Sequence, residues 1–418
     1  MLSKVARRHR SLHTSLIART VTTESLSPSS SSSTQIPLPT LTKHPSPKPR
    51  FPLNPAPRPA RSALLDTSFS LPPTFGQNQL LPVSNSTRAL LESIVAQFNA
   101  PIRYAFAYGS GVFEQEGYVT QPDEGKRPML DFMFAVRHPS HWHSINMAQY
   151  PSHYPLHARM FGSDFVSRVQ EINPGVWFNA FVNVNGVTIK YGVTSVDNIC
   201  SDLLTWRSLY LAGRMHKPLR IIKDDARVRL TQQVNLTSAL RAALLTLPTH
   251  FTESELFERI ASISYDGDLR MLLPAENRSK VKNIVHKQGP QFKELYRRLA
   301  VGLPGVSWPV AAQNIEVDAN PHVRAALLKK LPSTLLKKVT DHYSRTGMPS
   351  KEADESAFWV RLAGDETLPS VIRSQMRSIV RYPAAIQTAK GVVSAGVGKS
   401  FRYGSEKVGK WWKGTAAK

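Results

Sequence analysis

The sequence predicts an α/β domain, a helical domain after it, and an amphipathic helix at the C-terminal end. Two strand-like apolar segments come first: Phe106-Ala-Tyr-Gly-Ser-Gly111 and, about twenty residues later, Met129-Leu-Asp-Phe-Met-Phe-Ala-Val136, which holds a single aspartate. Valine-rich segments then flank Asn185-Gly186, the pair that most strongly signals a tight hairpin. After Arg227 the apolar residues change to helical spacing. At 418 residues and 41% hydrophobic content the chain is long enough for two domains with cores of their own. These are expected at 75–225 and 226–385, with segments 1–61 and 386–418 outside them.

The two ends hold most of the charge. Residues 1–61 have ten Lys or Arg against Glu24 alone, and residues 386–418 have seven against Glu406 alone, so the ends supply +9 and +6 of the net +23. The remaining +8 is spread over residues 62–385, which argues against nucleic acid as a partner. Met1 to Thr23 carries Lys4, Arg7, Arg8, Arg10 and Arg19 among serines and threonines and no acid, the composition of a mitochondrial transit peptide. From Ser25 to about Arg61 serine and proline dominate, and too little apolar surface is present to offset the entropy of ordering, so a disordered spacer is expected. No segment supplies the roughly eighteen apolar residues of a spanning helix, so a lipid would be reached from outside the bilayer. The single Cys200 excludes an internal disulfide and a cysteine-based zinc site, and suits a small buried apolar position.

Along the chain, Leu90, Leu91, Ile94, Val95 and Phe98 give a helix between about Asn85 and Asn99 that feeds the first strand. In the strand after it, Met129, Asp131, Met133 and Ala135 share one face and Leu130, Phe132, Phe134 and Val136 the other, so both faces are expected to be buried and Asp131 to lie in a cleft. Val176–Val184 and Val187–Val193 form the hairpin arms, with Val187, Ile189, Tyr191 and Val193 on one side and Thr188 and Lys190 on the other. Leu236, Leu240, Ala243 and Leu244, then Leu256, Ile260 and Ile263, mark helices of the second core, and Asp266-Gly267 marks a turn. In the tail, Val393, Val397, Phe401, Val408, Trp411 and Trp412 form a stripe opposite Lys399, Arg402, Lys410 and Lys413. Such a helix suits an anionic membrane surface, and its five glycines from Gly391 to Gly409 suit folding on contact with the bilayer.

The Gly-Ser-Gly turn and the lone aspartate point to polyphosphate chemistry. Gly109 and Gly111 let successive N–H groups converge on phosphate oxygens, and Ser110 adds a hydroxyl donor. Asp131 would bind Mg²⁺, a hard ion that keeps water and substrate phosphates in its shell. Lys190 has two readings, a solvated edge-strand charge or a neutraliser of departing phosphate charge. Asp268 and Arg270 likewise form either a surface ion pair or one wall of a cleft. The histidines at 138, 141, 143, 153 and 157 fit no standard zinc spacing.

Beyond these readings, Tyr108-Gly-Ser-Gly-Val-Phe113, Leu130-Asp-Phe132 and His138-Pro-Ser-His-Trp-His-Ser-Ile-Asn-Met147 occur in one order with Lys190-Tyr-Gly-Val193, Asp202–Pro218, Ser264–Met271 and Glu276–Val281. Over about residues 80–290 this resembles the mitochondrial phosphatidate cytidylyltransferases, also called translocator maintenance proteins. The resemblance implies a polymerase-β-like nucleotidyltransferase domain, a winged-helix-like helical domain, Mg²⁺ dependence, and peripheral attachment to the matrix side of the mitochondrial inner membrane through 386–418. It implies transfer of CMP from CTP to phosphatidate, giving CDP-diacylglycerol and pyrophosphate, for cardiolipin synthesis. By the same likeness Tyr108, Gly109, Ser110, Gly111, His143 and Asn146 would contact CTP. Tyr265, Asp268, Arg270 and Lys280 would contact phosphatidate, and Asp131, Lys190 and Ser110 would carry catalysis. The wider superfamily has a second carboxylate two residues after the first, where this chain has Met133, so a further ligand must come from Glu114, Asp197, Asp268 or elsewhere. Two rival functions stay open: a non-enzymatic maintenance factor for the import translocase, and a nucleotidyltransferase acting on RNA or protein.

Overall fold

The computed structural model describes residues 71–113, 129–272, 279–310, 313–347 and 354–415, with residues 110, 272, 392 and 395–415 given by their backbone alone. The transit-peptide and spacer readings, Glu114, Glu276, Asn277 and the tail stripe beyond Val393 lie outside the described residues or side chains. What is described belongs to one compact mixed α/β unit.

Helix α1, Asn85–Ala96, is capped by Ser84, whose hydroxyl accepts from Thr87 N–H, and it leads into strand β1, Tyr104–Tyr108. β2 is Leu130–Val136, and α2, Pro139–Gln149, and α3, Leu156–Glu171, connect it to the hairpin β3, Trp177–Val184, and β4, Val187–Ser195. Asn185 (φ 52°) and Gly186 (φ 77°) supply the two left-handed residues that this two-residue turn requires. After α4, Val196–Thr205, strand β5, Leu219–Lys223, completes a five-stranded sheet in the order β3-β4-β2-β1-β5. β2 and β4 run parallel, and β1 is antiparallel to both its neighbours.

Both faces of the sheet are covered, as the side-chain alternation of β2 predicts. Leu130, Phe132, Phe134 and Val136 pack with Ile189, Tyr191, Val193 and the apolar side of α1. Met133 and Ala135 face the other way, into a core shared with the helices that follow. That core runs unbroken across residue 225: it joins Tyr104 and Phe106 of β1 to Leu236, Leu240 and Leu244 of α5, Ala226–Leu244, and to Leu256 and Ile260 of α6, Glu253–Ser262.

The second half contains a small sheet that apolar spacing does not reveal. Strands β6, His250–Thr252, β7, Val306–Ser307, and β8, Asn314–Val317, pair in the order β6-β8-β7, and each is too short to show an alternating pattern. Between β6 and β7 come α6, closed at its start by a Thr252/Glu255 capping box, and α7, Lys280–Val301. Helices α8, Pro321–Leu328, α9, Ser333–Arg345, and α10, Glu355–Gly364, precede a long final helix α11, Leu368–Thr415. The expected tail boundary at 386 falls inside α11, where Lys390 is buried and donates to the carbonyls of Gln170 (3.0 Å) and Ile172 (2.7 Å) at the end of α3.

Candidate active site

Strand register places the site. Asp131 of β2 pairs with Tyr108 of β1 on one side and with Lys190 of β4 on the other, so the three side chains stand in a row on one face of the sheet. They share the face of Met133 and Ala135, but lie at the end of the sheet where a cavity of about 210 Å³ opens toward the helical half. Lys190 Nζ is 3.8 Å from Asp131 Oδ1 and 4.7 Å from the centre of the Phe178 ring. β4 lies between β3 and β2, so Lys190 is on an interior strand and not on an edge. Opposite it β3 is irregular, with Phe181 at φ 53° in the stretch between Asn179 and Val182.

The glycine turn closes against the same carboxylate. Gly109 has φ 94°, a conformation that disfavours side chains, and a Cβ built there would stand 3.7 Å from Asp131 Oδ2. One oxygen of Asp131 is thus near a lysine, and the other faces the turn that leads into the helical turn Ser110–Phe113. Burial, and next the negative charge of Asp131, push the Tyr108 phenol above its ordinary value, so it stays protonated beside the site.

The opposite walls come from two loops. Asp202 is buried and accepts from the backbone N–H groups of Ser208, Leu209, Leu211 and Ala212 at 2.7–3.1 Å, and from the Ser208 hydroxyl. This one carboxylate folds the 206–212 segment, in which Trp206 and Leu209 take positive φ, and so sets the cavity wall of Ser208, Leu209 and Tyr210. Arg214 follows, its guanidinium 3.7 Å from the centre of the Tyr210 ring and bonded to the Tyr210 carbonyl at 2.7 Å. Lys217 is half-buried, donates to Gly213 O and to Ser264 Oγ, and lies 4.9 Å from the centre of the Tyr265 ring. Burial, then the charges of Arg214 and Lys280, hold its pKa well below the ordinary lysine value.

The turn Tyr265–Asp268 supplies the last wall. Asp268 receives Arg270 in a bidentate pair, with the guanidinium 2.6 Å from Oδ2 and 3.0 Å from Oδ1. Burial pushes the Asp268 carboxyl up, but the hydrogen bonds and charge of Arg270, with Arg214 beyond, outweigh it and leave the pKa lowered. Lys280 Nζ lies 5.3 Å from the Tyr265 ring centre. In sum, Lys190, Arg214, Lys217, Arg270 and Lys280 line the cavity against the carboxylates Asp131 and Asp268. Five cations against two carboxylates is an arrangement suited to a polyanion.

A family model described as mitochondrial phosphatidate cytidylyltransferase matches residues 91–410. Curated proteins of that name are 39% identical in Xenopus laevis over 331 residues, covering 78% of this chain and 96% of the relative, and 36% identical in Mus musculus over 341 residues, covering 81% and 99%. The Saccharomyces cerevisiae protein of that name is 43% identical over 236 residues, 54% of this chain and 59% of the relative. The chain belongs to the mitochondrial phosphatidate cytidylyltransferase family.

Of the residues the sequence singles out in this family member, Tyr108, Asp131, Lys190, Tyr265, Asp268, Arg270 and Lys280 line one cavity, beside the Gly109 turn. His143 and Asn146 do not reach it. Both are fully buried on α2, on the other side of the sheet from Lys190: His143 bonds Tyr154 and Gln170, and Asn146 donates to the hydroxyls of Tyr154 and Tyr191. Asp197 is also elsewhere, exposed and paired with Arg227, and Asp268 is engaged by Arg270. Among the described residues no three His, Cys, Asp or Glu side chains converge to hold a metal. A single Asp131 carboxylate suits Mg²⁺, whose remaining positions substrate phosphates and water can fill. Arg214, Lys217 and Asp202 were not among the predicted site residues. All three lie in the stretch Asp202–Pro218, one of the segments that carry the family likeness.

Proposed function

We propose that this chain is a phosphatidate cytidylyltransferase, transferring CMP from CTP to phosphatidate to give CDP-diacylglycerol and pyrophosphate. The observation that carries the proposal is the juxtaposition of Asp131, Lys190 and the Gly109 turn in a cation-lined cavity of a member of this family. CTP would lie with its phosphates against the turn, where Lys190, Arg214 and Lys217 offset their charge. Phosphatidate would enter beside Arg270 and Lys280, its glycerol end toward Val380 and Ala384 of α11. A phosphate oxygen of phosphatidate then bonds to the α-phosphorus of CTP in line with the bond to the β-phosphate, which breaks and leaves its electron pair on pyrophosphate. The attacking phosphomonoester is already largely ionised near neutral pH, so no general base is needed. Mg²⁺ held by Asp131 would supply charge neutralisation of the triphosphate. Lys190, in line with Asp131, would follow the charge that develops on the leaving group.

The finer readings belong to the same proposal. The order helix–strand–helix–helix–strand–strand from α5 to β8, with sheet order β6-β8-β7, supports a winged-helix-like second half beside a polymerase-β-like first half. No helix among the described residues is long and apolar enough to cross a membrane, which accords with peripheral attachment, and the basic tail 386–418 would provide it at the matrix side of the inner membrane for cardiolipin synthesis. The test is product formation from labelled CTP on phosphatidate-containing liposomes, with diacylglycerol liposomes and labelled ATP as controls. Label in CDP-diacylglycerol with CTP and phosphatidate alone is the expected result. Absence of product from folded, liposome-bound protein would favour the maintenance-factor reading, which Met133 in the core in place of a second carboxylate supports.

A further inference from the structure

The turn that gives Tyr265 and Asp268 to the cavity gives Asp266 to a second, open groove of about 790 Å³, bounded by α6, the start of α7 and α11. Arg259, Lys282, Arg373 and Arg377 line this groove. Arg373 and Arg377 stand one turn apart on one face of α11, and Arg259 approaches from α6. Among the described residues none of the four cations is ion-paired to a carboxylate. Arg259 Nε is buried with no hydrogen-bond partner. Burial, and then the positive charge of Arg373, hold the Arg259 guanidinium below its ordinary value, with Arg377 adding to the effect against Asp266. Of the three acids at the groove, Glu255 is bonded to Thr252 at the start of α6, which leaves Glu258 and Asp266. Asp266 lies among Arg259, Arg373 and Arg377, whose charges pull its carboxyl down against the larger effect of burial, so three guanidinium groups share this one carboxylate, and the excess is suited to a phosphate, which they bind by paired, charge-assisted hydrogen bonds.

We infer that this groove is a second anion site, separate from the catalytic cavity, which takes the phosphate of an anionic phospholipid headgroup. The choice of a lipid rests on the phospholipid-processing reading above, and on Arg373 and Arg377 lying on the helix that continues into the basic tail. The groove also bears on the catalytic turn. A Cβ at Gly267 would stand 2.3 Å from the Arg377 carbonyl oxygen, so the turn carrying both Asp266 and Asp268 is pressed against α11 at the arginine that would hold the phosphate.

The test is calorimetric titration of the full chain with dihexanoylphosphatidylglycerol below its micelle concentration, with dihexanoylphosphatidylcholine and inorganic phosphate in parallel. Phosphatidylglycerol is expected to bind about tenfold more tightly than either, and Arg373→Gln/Arg377→Gln to weaken it about tenfold at unchanged melting temperature, the effect of losing charge-assisted bonds. Arg270→Gln, in the catalytic cavity, is expected to leave this affinity within about twofold, since Arg270 does not line the groove and makes its ion pair with Asp268 on the cavity side of the turn. Should the double variant not fold, the exposed Lys282→Gln is expected to weaken binding about threefold. Unchanged affinity in the folded groove variants would overturn the site. An equal loss in Arg270→Gln would place the lipid in the catalytic cavity instead, and inorganic phosphate binding as tightly as phosphatidylglycerol would overturn the lipid as its source. No turnover is read, so the outcome is independent of whether the protein makes CDP-diacylglycerol.

Discussion

Replacing Lys190 by methionine separates a role on phosphate charge from a role in folding. At the 3.8 Å that separates Lys190 from Asp131, unit charges interact by about 4 kcal/mol at an effective dielectric near 20. A substrate phosphate held at a similar distance would feel a comparable field, and the partial exposure of both side chains, 24% and 29%, reduces it to about 2–3 kcal/mol. That corresponds to a loss of about 30- to 150-fold in kcat/KM for CTP. Stability should change little. The partly exposed pair with Asp131 is worth at most about 1 kcal/mol, and a methionine sulfur can take the place of the ammonium against the Phe178 ring. The assay is CDP-diacylglycerol formation on phosphatidate liposomes beside a denaturation curve. Activity within about threefold of wild type would refute the reasoning, and so would a loss of activity that merely follows a stability loss beyond about 2 kcal/mol.

Three further outcomes follow from the geometry. Gly192→Ala places a Cβ 2.6 Å from the Phe178 ring and 2.9 Å from the Met133 sulfur, so it should cost about 1–3 kcal/mol in urea unfolding and lower activity by shifting the ring beneath Lys190. Lys217→Met removes a half-buried cation held by a carbonyl and a hydroxyl, so thermal stability should stay equal or rise while CDP-diacylglycerol synthesis falls at least about tenfold; a drop in both would show a structural role. Burial pushes His143 down to about 4 against its Gln170 bond, and burial together with the Lys217 charge pushes His216 down to about 3. Both are neutral in the fold, so their contribution is complete above pH 6.5 and is lost on acidification through about pH 4 for His143 and about pH 3 for His216, by up to roughly 3 and roughly 5 kcal/mol. Unfolding free energies at pH 7.5, 6 and 5 should therefore fall with pH, and a flat profile would contradict the assignment.

Legibility in the sequence followed the reach of each signal. The faces of β2 and β4 were readable because side chains alternate strictly along a strand, and with them the positions of Asp131 and Lys190. What brings Lys190 beside Asp131 is the parallel pairing of β2 with β4 across α2, α3 and β3, a long-range choice that local spacing does not encode. His143 and Asn146 carry polar groups suited to a nucleotide, yet those groups are spent on Tyr154, Gln170 and Tyr191 inside the core. Asp202 shows the reverse. A carboxylate at the head of an apolar run gave no hint that it would gather four backbone N–H groups and shape the cavity wall. The second sheet stayed hidden because strands of two to four residues carry no period.

The most direct test of the central claim is Asp131→Asn, which keeps the shape of the side chain and removes the charge that would hold Mg²⁺ against the Gly109 turn. CDP-diacylglycerol synthesis should be followed over a Mg²⁺ titration in both proteins, with melting curves alongside. A fall of at least about a thousandfold at every Mg²⁺ concentration, with the melting temperature unchanged, is the result the account predicts. Activity retained at a tenth or more of wild type by about the same Mg²⁺ dependence would contradict it, and would move the catalytic centre away from the Tyr108–Asp131–Lys190 row.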